Sequence, residues 1–145
     1  MITIETKRIP CRDDLLKLYA DAGWTAYTDH LDRLERGVAA SLAVYTAWEG
    51  EALVGLLRAV GDGETILYLQ DLLVSSSHRR RGIGRELLER MTVDYPQVRQ
   101  KVLLTDAADR RALDFYRACG WRGAEELGCV TLMKPWENGS RRESA

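Results

Sequence analysis

Three apolar runs, at residues 42–48, 53–60 and 65–74, constrain the fold more than any other part of the sequence. Two turn signals separate them, Glu49-Gly50-Glu51 and the pair Asp62-Gly63. Apolar runs joined by an Asp-Gly pair are typical of a β-hairpin, because tight hairpin turns need the positive φ that glycine tolerates. The stretch therefore predicts an antiparallel meander of three strands.

Two amphipathic helices are predicted ahead of this meander, after a first strand at residues 2–9 that Pro10 ends. The first helix begins near Asp13 and ends at Gly23. The second carries one apolar face, formed by Leu31, Leu34 and Val38.

Helices and strands alternate after the meander. Residues 83–91 have the apolar spacing of a helix, which Pro96 prevents from continuing. Residues 101–105 are predicted to form a short buried strand, a helix starts at Asp109, and residues 129–134 are predicted to be the last strand. This order predicts an α/β fold around a sheet of mixed direction.

Length and composition favour one soluble globular domain at residues 1–136, with a flexible tail at residues 137–145. A chain of 145 residues, 46% of them hydrophobic, needs neither disulfides nor a structural metal to hold a core. The three cysteines are odd in number and lack CxxC spacing, which favours a reducing compartment and no metal site. We find no signal peptide and no long apolar segment, and we expect a cytoplasmic protein without a membrane partner.

The net charge of −1 conceals two halves of opposite sign. Residues 1–77 carry 7 basic and 12 acidic side chains, a net charge of −5, whereas residues 78–145 carry 14 and 10, a net charge of +4. Such an asymmetry indicates that an anionic ligand binds the second half.

The strongest candidate for that anion site is the run Arg79-Arg80-Arg81-Gly82-Ile83-Gly84-Arg85, between a predicted strand and a predicted helix. Free N–H groups at a helix N-terminus bind anions, and glycines let a phosphate approach the main chain. Arginines add charge-assisted hydrogen bonds, so a pyrophosphate suits the run better than a carboxylate. Taken alone, the run is explained about equally well as a solvated turn.

Other anion-binding motifs fit this run less well. It lacks the Lys-Ser/Thr pair of a P-loop and the third glycine of a dinucleotide-binding fingerprint. No basic face interleaved with aromatic residues accompanies it, so we expect no nucleic-acid partner.

Two motifs resemble those of the GNAT superfamily of N-acetyltransferases. The run YLQDLLVSSSHRRRGIGRELL at residues 68–88 is similar to its acetyl-CoA-binding motif, which contains R-x-x-G-x-G. Residues 109–121 resemble its helix N-x-x-A-x-x-F-Y-x-x-x-G-F. The order of elements also matches, so the resemblance implies the GNAT fold: a mixed, mostly antiparallel central sheet of about six to seven strands flanked by about four helices.

The resemblance implies that acetyl-CoA is the co-substrate and that no metal takes part. The residues implied to hold its pyrophosphate are Arg79, Arg80, Arg81, Gly82, Ile83, Gly84 and Arg85. The pantetheine arm would pair like an extra strand with the main chain of Leu72, Leu73 and Val74, beside a bulge near Asp71.

A catalytic role is implied for Tyr116, which matches the tyrosine that many members use as general acid for the departing coenzyme A thiolate. Without the motif, Tyr116 would be interpreted as a core aromatic of an amphipathic helix. Tyr116, together with Asp109 and Ala112 of the same helix, is an implied contact of coenzyme A. Asp109 stands where the family often has Asn, and it also suits a helix cap.

The acceptor side is implied by the same resemblance. Trp24 and Tyr27 would form one wall of the acceptor site, where aromatic rings can stack on a substrate or hold a cation, although Trp24 could equally be core packing. Tyr68 and Gln70 are also expected to contact the acceptor. Several amine acetyltransferases carry Glu where Gln70 stands, and an amide cannot take a proton. We therefore expect a water relayed by Gln70, Tyr68 or Asp71 to receive the amine proton.

The expected function is transfer of an acetyl group from acetyl-CoA to a primary amine of a small molecule, by direct attack in a ternary complex. The alternatives are acetylation of protein or peptide amino groups, and a non-catalytic acyl-CoA-binding regulatory module. Homodimerisation through residues 121–136 is expected by analogy with the family.

Overall fold

Five strands form one sheet in the computed structural model, which describes residues 1–135. They are β1 (Ile2–Glu5), β2 (Ala43–Glu49), β3 (Ala52–Gly61), β4 (Ile66–Val74) and β5 (Gln100–Leu103). Neighbours along the chain are neighbours in the sheet, with antiparallel pairing from β1 to β4 and a parallel pair between β4 and β5. The predicted meander is confirmed.

The helices fall into two compact units, one formed by residues 1–104 and the other starting at Thr105. The first unit contains α1 (Arg12–Asp21), α2 (Thr25–Thr28), α3 (Leu31–Ala39) and α4 (Ile83–Asp94). The second contains α5 (Arg110–Ala118), followed by a 3₁₀ turn at Ala124–Leu127. The α/β class predicted from the sequence is confirmed.

Helices of the first unit cover both faces of the sheet. The buried cluster beneath α1 and α3 includes Leu15, Leu18, Leu34, Val38, Val44, Leu56 and Leu73. Gly55 lies on the opposite face, because adjacent residues of a strand alternate, and α4 packs there. A Cβ atom on Gly55 would lie 3.0 Å from Ile83 and 3.4 Å from Leu87, so the glycine permits the close approach of α4.

One extra residue interrupts the ladder between β3 and β4. Arg58 pairs with Asp71 and Ala59 pairs with Leu69, which leaves Gln70 without a partner across the ladder. A bulge of this kind shifts the alternation of side chains and bends the strand. The family resemblance implies a bulge near Asp71, and the structure has it at Gln70.

The sheet has fewer strands than the six to seven expected. Residues 129–134, predicted to be the last strand, do not form one. Val130 and Leu132 are 76% and 88% exposed, and the amide of Cys129 donates to the carbonyl of Ala124 in a turn. An apolar run favours a strand only where a neighbouring strand supplies ladder hydrogen bonds and packing. The tail predicted at residues 137–145 lies outside the described residues.

Candidate active site

The ladder between β4 and β5 ends before β4 does. Its last pair is Leu69 with Leu103, whereas β4 continues to Val74. The main chain at residues 72–74 pairs with β3 on one side and, within residues 1–135, with no strand on the other. An open strand edge can bind an extended ligand through backbone hydrogen bonds.

A loop and the N-terminus of α4 follow β4. A 3₁₀ turn at Ser76–His78 leads into the loop, and α4 begins at Ile83. Arg80 (φ +63°) and Gly82 (φ +79°) both adopt the left-handed conformation. The amides of residues 80–84 donate no hydrogen bond to other described residues, as expected where the first turn of a helix has no internal acceptor. The loop therefore presents N–H groups at the positive end of a helix dipole.

Three exposed arginines, Arg79, Arg80 and Arg81, belong to the same loop. Glu49 at the end of β2 holds the loop through two contacts: His78 Nε2 lies 3.0 Å from Oε1, and Arg81 Nη2 lies 3.4 Å from Oε2. The hydrogen bond with His78, followed by that from Arg81, holds the pKa of Glu49 below its ordinary value. The loop is thus attached to the end of β2.

Asp21, the last residue of α1, anchors the start of the same loop. Its carboxylate accepts hydrogen bonds from the Ser76 amide at 2.8 Å and the Ser76 hydroxyl at 2.7 Å. These two bonds hold the pKa of Asp21 below its ordinary value. Sequence reasoning missed Asp21 and Glu49, because contacts between residues 55 and 29 positions apart leave no local pattern.

Asp71 lies at the centre of a buried hydrogen-bond network. Its Oδ2 accepts from the Tyr19 hydroxyl and from Arg58 Nε, each at 2.9 Å. Its Oδ1 accepts from the Tyr27 hydroxyl, also at 2.9 Å. Asp71 is 1% exposed and Arg58 is 7% exposed. The guanidinium therefore compensates a carboxylate that would be costly to bury alone.

Burial governs the ionisation of the acids in this network. It raises the pKa of Asp71, while the charge of Arg58 and the hydrogen bonds from both tyrosines oppose that shift. Burial also raises the pKa of Tyr19 and of Tyr27 above 10, and the negative charge of Asp71 adds to both shifts. Both tyrosines are therefore protonated at neutral pH and can donate to Asp71.

The bulge brings two consecutive side chains to one tyrosine. Gln70 Nε2 donates to the Tyr27 hydroxyl at 2.9 Å, and that hydroxyl donates to Asp71. Adjacent residues of a regular strand point to opposite faces, so the irregularity at Gln70 makes this convergence possible.

Two residues of the network, Arg58 and Tyr19, were not predicted from the sequence. A single arginine in the apolar run of β3, opposite Asp71, is a signal that could have indicated the buried pair.

Trp24 and Tyr27 form an aromatic cluster with the buried Tyr19. Ring centroids lie 5.7 Å apart for Tyr19 and Trp24, 5.2 Å for Tyr19 and Tyr27, and 6.1 Å for Trp24 and Tyr27. Trp24 and Tyr27 are half-buried, as is Tyr68 on β4. Trp24 therefore packs on the core and still keeps an accessible part.

In the second unit, α5 carries the predicted general acid. Asp109 caps this helix, because its side chain accepts from the Ala112 amide at 3.0 Å. Tyr116 is half-buried, with ring centroids 5.2 Å from Phe115 and 6.3 Å from Trp121. The cap expected of Asp109 is present, while its contact with coenzyme A stays a prediction.

Residues 1–135 contain no group of three or more His, Cys, Asp or Glu side chains that could hold a metal ion. Over the same residues, no helix is both long enough and apolar enough to cross a membrane. Within this part of the chain, Cys11, Cys119 and Cys129 form no disulfide.

Residues 11–121 match the family model described as Acetyltransferase (GNAT) family. Among solved structures, a GNAT-family acetyltransferase from Streptococcus pneumoniae is 34% identical, with a TM-score of 0.82. That alignment covers 94% of this chain and 99% of the other. A search of curated proteins found no match.

Two more distant structures share the fold. An aminoglycoside acetyltransferase from an uncultured soil metagenomic sample, in complex with sisomicin, is 19% identical with a TM-score of 0.64, covering 94% of this chain and 97% of that one. An aminoglycoside N-acetyltransferase in complex with CoA is 17% identical with a TM-score of 0.70, covering 92% and 94%.

Proposed function

The chain belongs to the acetyltransferase (GNAT) family and is an acyltransferase, and we propose that it moves the acetyl group of acetyl-CoA to a primary amine of a small molecule. One observation carries this proposal: the open edge of β4 at residues 72–74 leads directly to the unpaired amides of residues 80–84. An extended arm that carries amides and ends in a pyrophosphate matches both parts of that surface.

The residues of the loop fit a pyrophosphate. Backbone N–H groups would bind its oxygens, and Arg79, Arg80 and Arg81 can add charge-assisted hydrogen bonds. A Cβ atom placed on Gly82 would meet nothing within 4 Å, so the space beside Gly82 is open. Residues 79–122 carry 11 basic and 6 acidic side chains, a net charge of +5, which further supports an anionic co-substrate.

The proposed reaction is a direct transfer in a ternary complex. The amine nitrogen attacks the thioester carbonyl carbon, so that a C–N bond forms and the C–S bond breaks. The nitrogen loses one proton and the departing thiolate gains one, which we assign to Tyr116 on the resemblance of α5 to the family helix. Reference pKa values of about 10 and 8.5 make that protonation uphill by about 2 kcal/mol, so positioning must contribute as well as acidity.

The amine proton has no obvious acceptor among the side chains at the bulge. Gln70 is an amide, and both oxygens of Asp71 already accept hydrogen bonds in a buried site. An amine with a pKa near 10.4 is about 4.6 kcal/mol away from its neutral form at pH 7. We therefore propose that water receives the proton, and we expect amines of lower pKa to be better acceptors.

The acceptor proposed is a small cationic amine. The half-buried Trp24 and Tyr27 can stack on it or hold its charge, and the net charge of −5 on residues 1–77 favours a cation. The structural neighbour solved with sisomicin binds a small molecule that carries amines, which supports this class by analogy. The test can instead find acetylation of peptide amines, or binding of acyl-CoA without turnover.

The test has two steps. Calorimetry should detect acetyl-CoA binding at micromolar concentrations; its absence would contradict both catalysis and a sensor role. Thiol release is then followed with sisomicin, benzylamine and a lysine-containing peptide as acceptors. Release with a small amine supports the proposal, release with the peptide alone favours protein acetylation, and binding without any release favours a regulatory module.

A further inference from the structure

The hydroxyl of Tyr27 is saturated with hydrogen bonds. It donates to Asp71 Oδ1 at 2.9 Å, and it accepts from Gln70 Nε2 at 2.9 Å and from Arg58 Nη2 at 3.3 Å. A tyrosine hydroxyl has one proton and two lone pairs, so these three contacts use all of its capacity.

The direction of each of these bonds is fixed by chemistry. Arg58 can only donate, and the carboxylate of Asp71 paired with it can only accept. The Tyr27 proton must therefore point to Asp71, which leaves the tyrosine oxygen as an acceptor. A flipped Gln70 would place its carbonyl oxygen against that oxygen, with no proton between them. Only the orientation with Nε2 toward Tyr27 forms a hydrogen bond.

From this polarity we infer that Tyr27 is a positioning residue, which turns the Gln70 carbonyl oxygen toward the acceptor amine. Gln70 is half-buried at the bulge, and no described residue donates to its Oε1. The oxygen is thus available to a ligand N–H. This inference rests on the proposed function, and it makes Gln70 a group that holds the amine rather than one that takes its proton.

The orientation has a direct spectroscopic test that needs no turnover. In ¹H–¹⁵N spectra of the full chain, the side-chain amide of Gln70 is assigned by its loss in Gln70→Met. We expect its protons to exchange slowly in the wild type and to exchange like a free amide in Tyr27→Phe. They should also shift when benzylamine is added in the presence of CoA. Fast exchange in the wild type, or no shift with benzylamine, would overturn the inference.

Binding of benzylamine with CoA present, measured by calorimetry, tests the positioning role. Tyr27→Phe and Gln70→Met should each weaken binding about tenfold, the loss expected for one hydrogen bond to a charged group. The double variant should bind like Gln70→Met alone, because Tyr27 acts through Gln70. A further tenfold loss in the double variant would show that Tyr27 acts independently and would contradict the inference.

Tyr45→Phe is the matched control. It removes another tyrosine–aspartate hydrogen bond, from the Tyr45 hydroxyl to Asp94 Oδ2 at 2.7 Å, and should leave benzylamine affinity within twofold. An equal loss of benzylamine affinity in Tyr45→Phe would mean that Tyr27→Phe acts only by lowering the stability of the protein. If benzylamine binds with the expected pattern and is not acetylated, the proposed function fails on this acceptor while the role of Tyr27 stands.

Discussion

Arg58 and Asp71 face each other across the ladder between β3 and β4, with 2.9 Å between Nε and Oδ2, and both side chains are buried. The pair lies one residue from the bulge that brings Gln70 to Tyr27. The same ion pair therefore stabilises the sheet and holds β4 next to the bulge of the proposed acceptor site.

Removal of one member of this pair should be strongly destabilising. Arg58→Met leaves the carboxylate of Asp71 buried without its counter-charge, and we expect the free energy of unfolding to fall by about 3–5 kcal/mol. Urea denaturation measures this loss. Arg117→Met, which breaks the exposed pair Arg117–Glu126, should cost no more than about 1 kcal/mol. If both variants lost the same free energy of unfolding, the buried pair would contribute no more to stability than the exposed one.

Gly82→Ala tests the pyrophosphate loop. The left-handed conformation at φ +79° should cost alanine about 1 kcal/mol, and the added methyl group lies near the amides that the co-substrate would use. Gly23→Ala is matched, since Gly23 has φ +76° and also has no atom within 4 Å of an added Cβ. Both should lose similar stability, while only Gly82→Ala weakens acetyl-CoA binding tenfold or more. Unchanged acetyl-CoA affinity in Gly82→Ala would remove the loop from the binding site.

Tyr116→Phe tests the general acid while it keeps the ring that packs beside Phe115 and Trp121. We expect kcat to fall by about 10²-fold or more, the usual contribution of general acid catalysis, with a much smaller change in acetyl-CoA affinity because the ring is kept. Steady-state kinetics from pH 6 to 9 measure this effect. A kcat that matches the wild type over that range would refute the assignment.

Acid stability should depend on Asp21. Because the Ser76 bonds lower the pKa of Asp21 in the folded state, its ionised form stabilises the fold above the unfolded value of 3.8. That contribution is lost as the pH falls through the lower folded pKa. Asp21→Asn should therefore weaken the dependence of Tm on pH below about 4, measured from pH 2.5 to 6.

Ser76→Ala is the companion variant for this pH dependence, since it removes the hydroxyl bond to Asp21 and keeps the amide bond and the carboxylate. It should weaken the same dependence of Tm on pH, and by less than Asp21→Asn does. If Tm depended on pH in the same way in Asp21→Asn and in the wild type, the contact between Asp21 and Ser76 would not contribute to stability.

Local sequence patterns predicted the meander, the start of α4 and the Asp109 cap, because hairpin turns, helix periodicity and capping are set by residues close in the chain. Both the family and the acyltransferase class are confirmed. Single-domain organisation, a cytoplasmic location and a homodimer stay predictions; light scattering would measure the last.

The parts that could not be predicted depend on contacts between distant residues. Arg58 and Tyr19 reach Asp71 across 13 and 52 positions, and Asp21 reaches Ser76 across 55. The predicted strand at residues 129–134 was wrong for a related reason. Its residues have strand propensity, but propensity does not identify the partner that a strand needs.

Mass spectrometry of the acceptor after incubation with [¹³C]acetyl-CoA tests the central claim most directly. The proposed function predicts that a small primary amine such as sisomicin or benzylamine gains one labelled acetyl group on nitrogen, in equal amount to the coenzyme A released. Enzyme that binds acetyl-CoA and yields no N-acetylated small amine, across a panel that includes amines of low pKa, would contradict it.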